Sequence, residues 1–307
     1  MRQGEAMMTE RKEEKKKFVV DRDRCKTCWS CVSVCPTMIY EKGDRAARVV
    51  EERTALCIGC GHCMAVCREK AVSVPTLSYE RDFTELPAAK PSAEDFLRLI
   101  RTRRSVRVFR KDPVDASALE EIVRQISFAP MGFPPQNVEV TVVKDRATIE
   151  RALPLMVDMY EKLIGLLKNP VTRFIVKRKV PPDVFNTLTS HIAPTYAMEL
   201  EVMRKTGQDV ITYGAPALLL LHAHREAGCH TENIYIALAF GLLAAHAMGL
   251  GATAIGLIPP AIEQGHGLKE LFGIPADNEV LASMIVGHPK VTFRRCIRRD
   301  MKKVTWV

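Results

Sequence analysis

The sequence predicts an α+β protein in two parts, a small cysteine-held module followed by a larger domain of helices around a central sheet. Eight of the ten cysteines fall between positions 25 and 67, and only Cys229 and Cys296 lie beyond them. From about residue 92 onward, stretches with apolar residues at helical spacing are interrupted by four short apolar runs of the kind that form buried strands. Helices dominate and the order is irregular, which argues against a regular alternating βαβ chain. A hydrophobic fraction of 47% over 307 residues supports a large core.

Cys25, Cys28, Cys31 and Cys35 read C-x2-C-x2-C-x3-C, with Pro36 directly after. Cys57, Cys60, Cys63 and Cys67 repeat the spacing, each 32 positions after its counterpart, so the module is an internal duplication. This run resembles the ligand pattern of bacterial two-cluster ferredoxins. The resemblance implies two 4Fe-4S clusters with crossed ligands: Cys25, Cys28 and Cys31 with Cys67, and Cys57, Cys60 and Cys63 with Cys35. Gly59 and Gly61 suit the tight second loop. Arg68 stands where a proline would complete the second copy, and a cation there would raise the cluster potential. Zinc prefers pairs of C-x2-C arms at longer separations and would leave the third and fourth cysteine of each run unused. Disulfides need an oxidising compartment. The charged stretch Glu10 to Lys17 has no apolar core, so we expect no signal peptide and a cytoplasmic location, in an anaerobe because such clusters are oxygen-sensitive.

We expect a flexible tail over 1–17, the two-cluster module over 18–75, a proline-bearing linker over 76–91 and the larger domain over 92–307. In the last, Ser92 is a candidate N-cap for a helix carrying Phe96, Leu97, Leu99 and Ile100 and stopping near Thr102. A second helix starts at Asp115 or Ser117 and carries Leu119, Ile122, Val123 and Ile126. Further helices are expected over Ile149–Leu167, Val184–Lys205 and Thr231–Met248. Strands are expected over Val138–Val143, Ala217–His222, Ala252–Ile258 and Val280–Val286. Asn169 to Pro182, with cationic Arg173, Lys177, Arg178 and Lys179, reads as a surface connector, with part of a lid as the alternative.

The formal net charge is +9, but the basic residues are scattered and the N-terminal run mixes signs, so we expect no nucleic-acid partner. Ile234 to Leu250 is nearly all apolar, yet it is short for a membrane span and rich in Ala and Gly. A buried helix fits better, with Ala237, Gly241, Ala244 and Ala245 allowing close approach of another helix, as in a dimer core.

No Gly-x-Gly-x-x-Gly turn and no Walker loop occurs. Instead Arg103-Arg104-Ser105-Val106-Arg107-Val108-Phe109 places three guanidinium groups and a hydroxyl within five residues, an anion site. Four landmarks follow it in order: Ala129-Pro130-Met131-Gly132 running on to Gln136, Gly249-Leu250-Gly251, Ala254-Ile255-Gly256-Leu257, and Val286-Gly287-His288-Pro289 with Arg294-Arg295 beyond. From about Phe96 to the end, the chain resembles the nitroreductase family of FMN-dependent oxidoreductases. The resemblance implies a domain-swapped homodimer with FMN at the interface and helices around a mostly antiparallel sheet. Arg103, Arg104, Ser105 and Arg107 would then hold the phosphate and ribityl chain, joined by Arg294 and Arg295. Gly256 and Leu257 would present backbone N–H groups near the flavin N5 edge, and Pro130, Met131 and Gly132 would lie against the ring from the dimer partner. Met131 and Pro134 depart from the family's serine and asparagine.

His222 and His224 alternate near Cys229 and His230, but no acidic residue with ligand spacing completes a metal site. Lining the active-site mouth is the better reading for them. The expected function is electron transfer from the clusters to FMN and on to a small organic acceptor of nitro, quinone or enone type, with an external ferredoxin as a candidate donor. Its rivals are an NAD(P)H-dependent flavin reductase feeding the clusters and a non-catalytic electron relay.

Overall fold

The structure is a computed structural model that describes residues 17–87, 92–132 and 137–307. The tail expected over 1–17, apart from Lys17, and Pro134 lie outside the described residues. The chain divides into two compact units between Lys90 and Pro91.

The first unit contains β1 (Val19–Val20), α1 (Ser30–Val34), β2 (Tyr40–Lys42), β3 (Ala47–Val49), α2 (His62–Ala65), β4 (Val72–Ser73) and α3 (Tyr79–Asp82). β1 pairs antiparallel with β4, and β2 with β3. The duplication is visible in the backbone, because α1 and α2 both start after a left-handed residue, Trp29 at φ 61° and Gly61 at φ 73°. Ile39, Tyr40, Met64 and Val72 form the unit's small core. The helical turn α3 lies within the segment expected to be a linker, where Ser78 caps it by accepting from the Arg81 N–H. The Tyr79 hydroxyl then donates to the Val72 and Met64 carbonyls, so this stretch is built into the first unit.

The second unit contains α4 (Ala93–Thr102), α5 (Ala116–Ile126), β5 (Glu139–Val143), α6 (Arg146–Lys168), α7 (Pro170–Lys179), α8 (Pro182–Thr187) and α9 (Ala193–Thr206). It continues with β6 (Ala217–His224), α10 (His230–Ala247), β7 (Gly251–Ala254), α11 (Ile258–Gln264), α12 (Leu268–Phe272) and β8 (Asn278–Gly287). The sheet runs β5-β6-β8-β7 with every pair antiparallel. β6 is apolar from Ala217 to Leu221 because both of its faces are covered: Leu218 and Leu220 face the layer of α6 and α11, while Leu219 and Leu221 face α5 and α10.

Three expectations change. The Asn169–Pro182 connector is a helix, α7, started by the Asn169 side chain and by Pro170 in the first turn. The helix expected over Val184–Lys205 is divided by a π-type turn at Leu188–Ile192 just before Pro194, which lacks an N–H for a helical ladder. The strand expected over Ala252–Ile258 stops at Ala254, and Ile258 opens α11, whose following prolines fit a first turn. The small residues of α10 serve this chain's own core: Gly241 faces Ile126 of α5 and Met284 of β8.

Candidate functional site

The first unit gathers its eight cysteines in two crossed sets. Cys25, Cys28, Cys31 and Cys67 line one cavity, and Cys35, Cys57, Cys60 and Cys63 line a second. The fourth cysteine of each run is held alike, with Cys35 Sγ accepting from Ile39 N at 3.3 Å and Cys67 Sγ from Ala71 N at 3.2 Å. All ten cysteines are free thiols. Among the described residues, no three His, Cys, Asp or Glu side chains are gathered for a single metal ion. A zinc site would draw four sulfurs to about 2.3 Å from one point, whereas a cubane cluster needs them spread around a cavity. The donor sets therefore fit two 4Fe-4S clusters. Burial pushes the Cys31 thiol up to about 11, so cluster assembly, which needs thiolates, must release protons.

In the second unit the arginine-rich segment leaves α4 extended and is laced between two distant landmarks. Ser105 bridges Ala252, and Val106 N donates to Ala252 O at 3.2 Å. Phe109 bridges Pro289, and Arg110 N donates to His288 O at 2.8 Å. Gly251 is required here: a Cβ would stand 2.8 Å from Val106 Cγ1. Arg103 is drawn below the usual guanidinium range by burial, then by the charges of Arg104 and Arg299. Arg104 Nε is buried with no hydrogen-bond partner among the described residues. His246 of α10 accompanies them, 2.9 Å from Thr102 Oγ1 and held below the usual imidazole range by burial and then by Arg103 and Arg104. Clustered cations with an unsatisfied donor favour an anion such as a phosphate.

Arg107 sits over the Tyr213 ring, 5.9 Å from its centroid. The C-terminal cation whose charge reaches Arg103 is Arg299, while Arg294 and Arg295 are exposed after β8. Gly256 is exposed with open space where a Cβ would stand, beside a cavity of about 360 Å³ that also touches Tyr235 and Pro260. Its neighbours are pinned: Ile255 N donates to Ser283 O at 3.1 Å, and Tyr160 Oη donates to Leu257 O at 2.6 Å. A planar ligand therefore has backbone to approach at Gly256.

After α5, Pro130 is exposed, Met131 packs on the core, and Gly132 N donates to Asn233 Oδ1. The same Asn233, 1% exposed, donates to Asn137 Oδ1 at 2.9 Å, so one side chain ties Gly132 and Asn137 together. His222 is a structural residue: it is buried between β5 and β8, Asn278 Nδ2 donates to its Nδ1 at 2.8 Å, and its Nε2 lies 3.0 Å from Thr141 Oγ1. It thus neither lines a mouth nor binds metal, and His224 is exposed. Asn233, Tyr160, Arg299 and His246 were not predicted as site residues. Asn233 and Tyr160 act through bonds to residues about a hundred positions away, which leave no local pattern.

Residues 100–288, more than half of the chain, match the model of the nitroreductase family. The chain belongs to the nitroreductase family. Residues 7–72 match the 4Fe-4S dicluster domain, so the cofactors of this FMN-dependent oxidoreductase are FMN and two 4Fe-4S clusters. A nitroreductase with bound FMN from Desulfitobacterium hafniense shares the fold at TM-score 0.50 and 20% identity, covering 69% of this chain and 97% of that one. One from Bacteroides fragilis, also with bound FMN, covers 69% and 97% at 17% identity and TM-score 0.48. The archaeal-type glutamate synthase [NADPH] of Thermotoga maritima is 34% identical over 86 residues, 27% of this chain. The chain spans only about one-sixth (16%) of the length of the curated relatives it matches. Among the described residues no helix is long and apolar enough to cross a membrane.

Proposed function

We propose that this nitroreductase is an iron-sulfur flavoprotein oxidoreductase that draws single electrons through its cysteine-held unit and reduces a small organic acceptor of nitro, quinone or enone type at FMN. The pairing of two crossed cysteine cavities with an unsatisfied cation cluster in one chain carries the reading. FMN, when bound, supplies exchange between one-electron and two-electron chemistry. Arg103, Arg104 and Ser105 bind its phosphate, with Arg299 in the place expected of Arg294 and Arg295, and Arg107 lies toward the ribityl chain. Gly256 and Leu257 offer backbone N–H groups at the ring edge, held in place by Tyr160. Pro130, Met131 and Gly132 cover the ring from the partner of a homodimer. Exposed Phe96, Leu97 and Ile100 on α4, with Phe293, Met301 and Trp306 in the C-terminal segment, support that dimer by leaving apolar surface to cover. The protein acts in the cytoplasm.

Anaerobic stopped-flow mixing tests the direction of flow. Reduced ferredoxin should bleach the flavin as the ferredoxin is oxidised, and adding an acceptor afterwards should restore the flavin absorbance. Bleaching by NADPH alone, before any carrier is added, would sink this direction in favour of a nicotinamide donor. Failure to reduce any nitroaromatic, quinone or enone with dithionite would favour a relay.

A further inference from the structure

The two cysteine cavities are built from repeats of one motif but differ in what surrounds them. The set of Cys35, Cys57, Cys60 and Cys63 is closed in by Ile39, Tyr40, Ile58 and Val74, which leave a cavity of only about 20 Å³. Over its loop lies the segment that continues from β4: Leu77 and Phe83 come within 3.2 Å of the place a Gly61 Cβ would take, and Tyr79 is bonded to the Met64 and Val72 carbonyls. A side chain at Gly61 would press on this cover, and its φ of 73° adds strain for any residue other than glycine. The set of Cys25, Cys28, Cys31 and Cys67 lines a cavity of about 480 Å³, with Cys28 exposed. The residue equivalent to Gly61 there is Trp29, whose side chain itself lines the cavity. Lys26 and Arg68 stand on that rim with Glu69, leaving it cationic.

We propose that the Cys25, Cys28, Cys31 and Cys67 cluster is the outward electron port, and that its Lys26–Arg68 rim docks an acidic one-electron carrier protein. One electron leaves the reduced carrier, which is oxidised, and enters this cluster, which is reduced by one; no bond or proton moves. Openness sets the port because electron transfer needs close approach. The cationic rim sets the partner, since complementary charge speeds encounter about tenfold or more at low salt. The inference rests on the iron-sulfur reading but not on the acceptor or on the net direction of flow.

The test uses the full-length holoprotein, with cluster reduction followed by absorbance and electron paramagnetic resonance. Its two probes are a reduced acidic two-4Fe-4S ferredoxin and the reduced methyl viologen cation. K26Q/R68Q should slow reduction by the ferredoxin about tenfold at low salt, with the difference fading by about 0.5 M salt, and should not slow reduction by viologen. The control K42Q/R45Q removes the same charge at the β2–β3 hairpin and should change the ferredoxin rate less than twofold. Equal slowing by the control, or equal slowing with both reductants, would overturn the assignment. Absent cluster signals in the wild type would overturn the cofactor reading before any variant is compared.

Discussion

Asp209 is nearly buried and yet held ionised. Burial alone would push its carboxyl up, but hydrogen bonds from Thr212 and Gly214 and the Arg146 guanidinium at 2.9 Å together outweigh it and hold it below the usual carboxylate range. Arg146 also donates to Ala215 O, so this pair fixes the loop leading into β6. A carboxylate with a depressed folded pKa contributes stability that is complete above its unfolded value of about 3.9 and lost as pH falls through the lower folded value. Asp209→Asn should therefore cost about 2–3 kcal/mol at pH 7, or about 4–12 °C in melting temperature. Its deficit against wild type should shrink below about pH 4, as denaturant melts of the apoprotein over a pH series would show. His222 teaches a related lesson: paired with Asn278 and Thr141, a histidine with an apparently ligand-like neighbourhood belongs to the sheet.

At the scale of elements, the site depends on how the arginine segment is laced to β7. The Arg103–Phe109 motif and the Gly249-Leu250-Gly251 landmark were legible from residue order, but their contact was not, because it joins positions some 145 apart. Gly251→Ala forces a methyl into Val106 and should cost about 1–3 kcal/mol by overpacking. Because the same shift moves Ser105 and its neighbouring arginines, FMN affinity should fall with stability in fluorescence titrations. Unchanged affinity in a destabilised variant would separate the lacing from the anion site. α7 was missed because its cations hide the periodicity, while Asn169 and Pro170 carried a start signal that a connector reading passed over.

At the scale of the molecule, two compact units predict separable cofactors. Cys28→Ala should remove about half of the cluster absorbance and leave FMN bound. Arg103→Ala should weaken FMN about 10- to 100-fold, the worth of a charge-assisted contact, and spare both clusters. Iron content and flavin fluorescence on the same preparations decide it, and loss of both cofactors from either change would contradict the division.

The sequence by itself determined the chemistry of the first unit, since thiolate ligation is set by residue type and by spacing within short loops, and both are local. It also determined the order of the flavin landmarks. Tertiary structure alone decided which of the two cysteine sets keeps an open rim, why Arg299 reaches Arg103, and how Tyr160 and Asn233 hold the backbone at the site. Those are matters of long-range packing and burial, and their energies depend on neighbours that only the folded chain brings together.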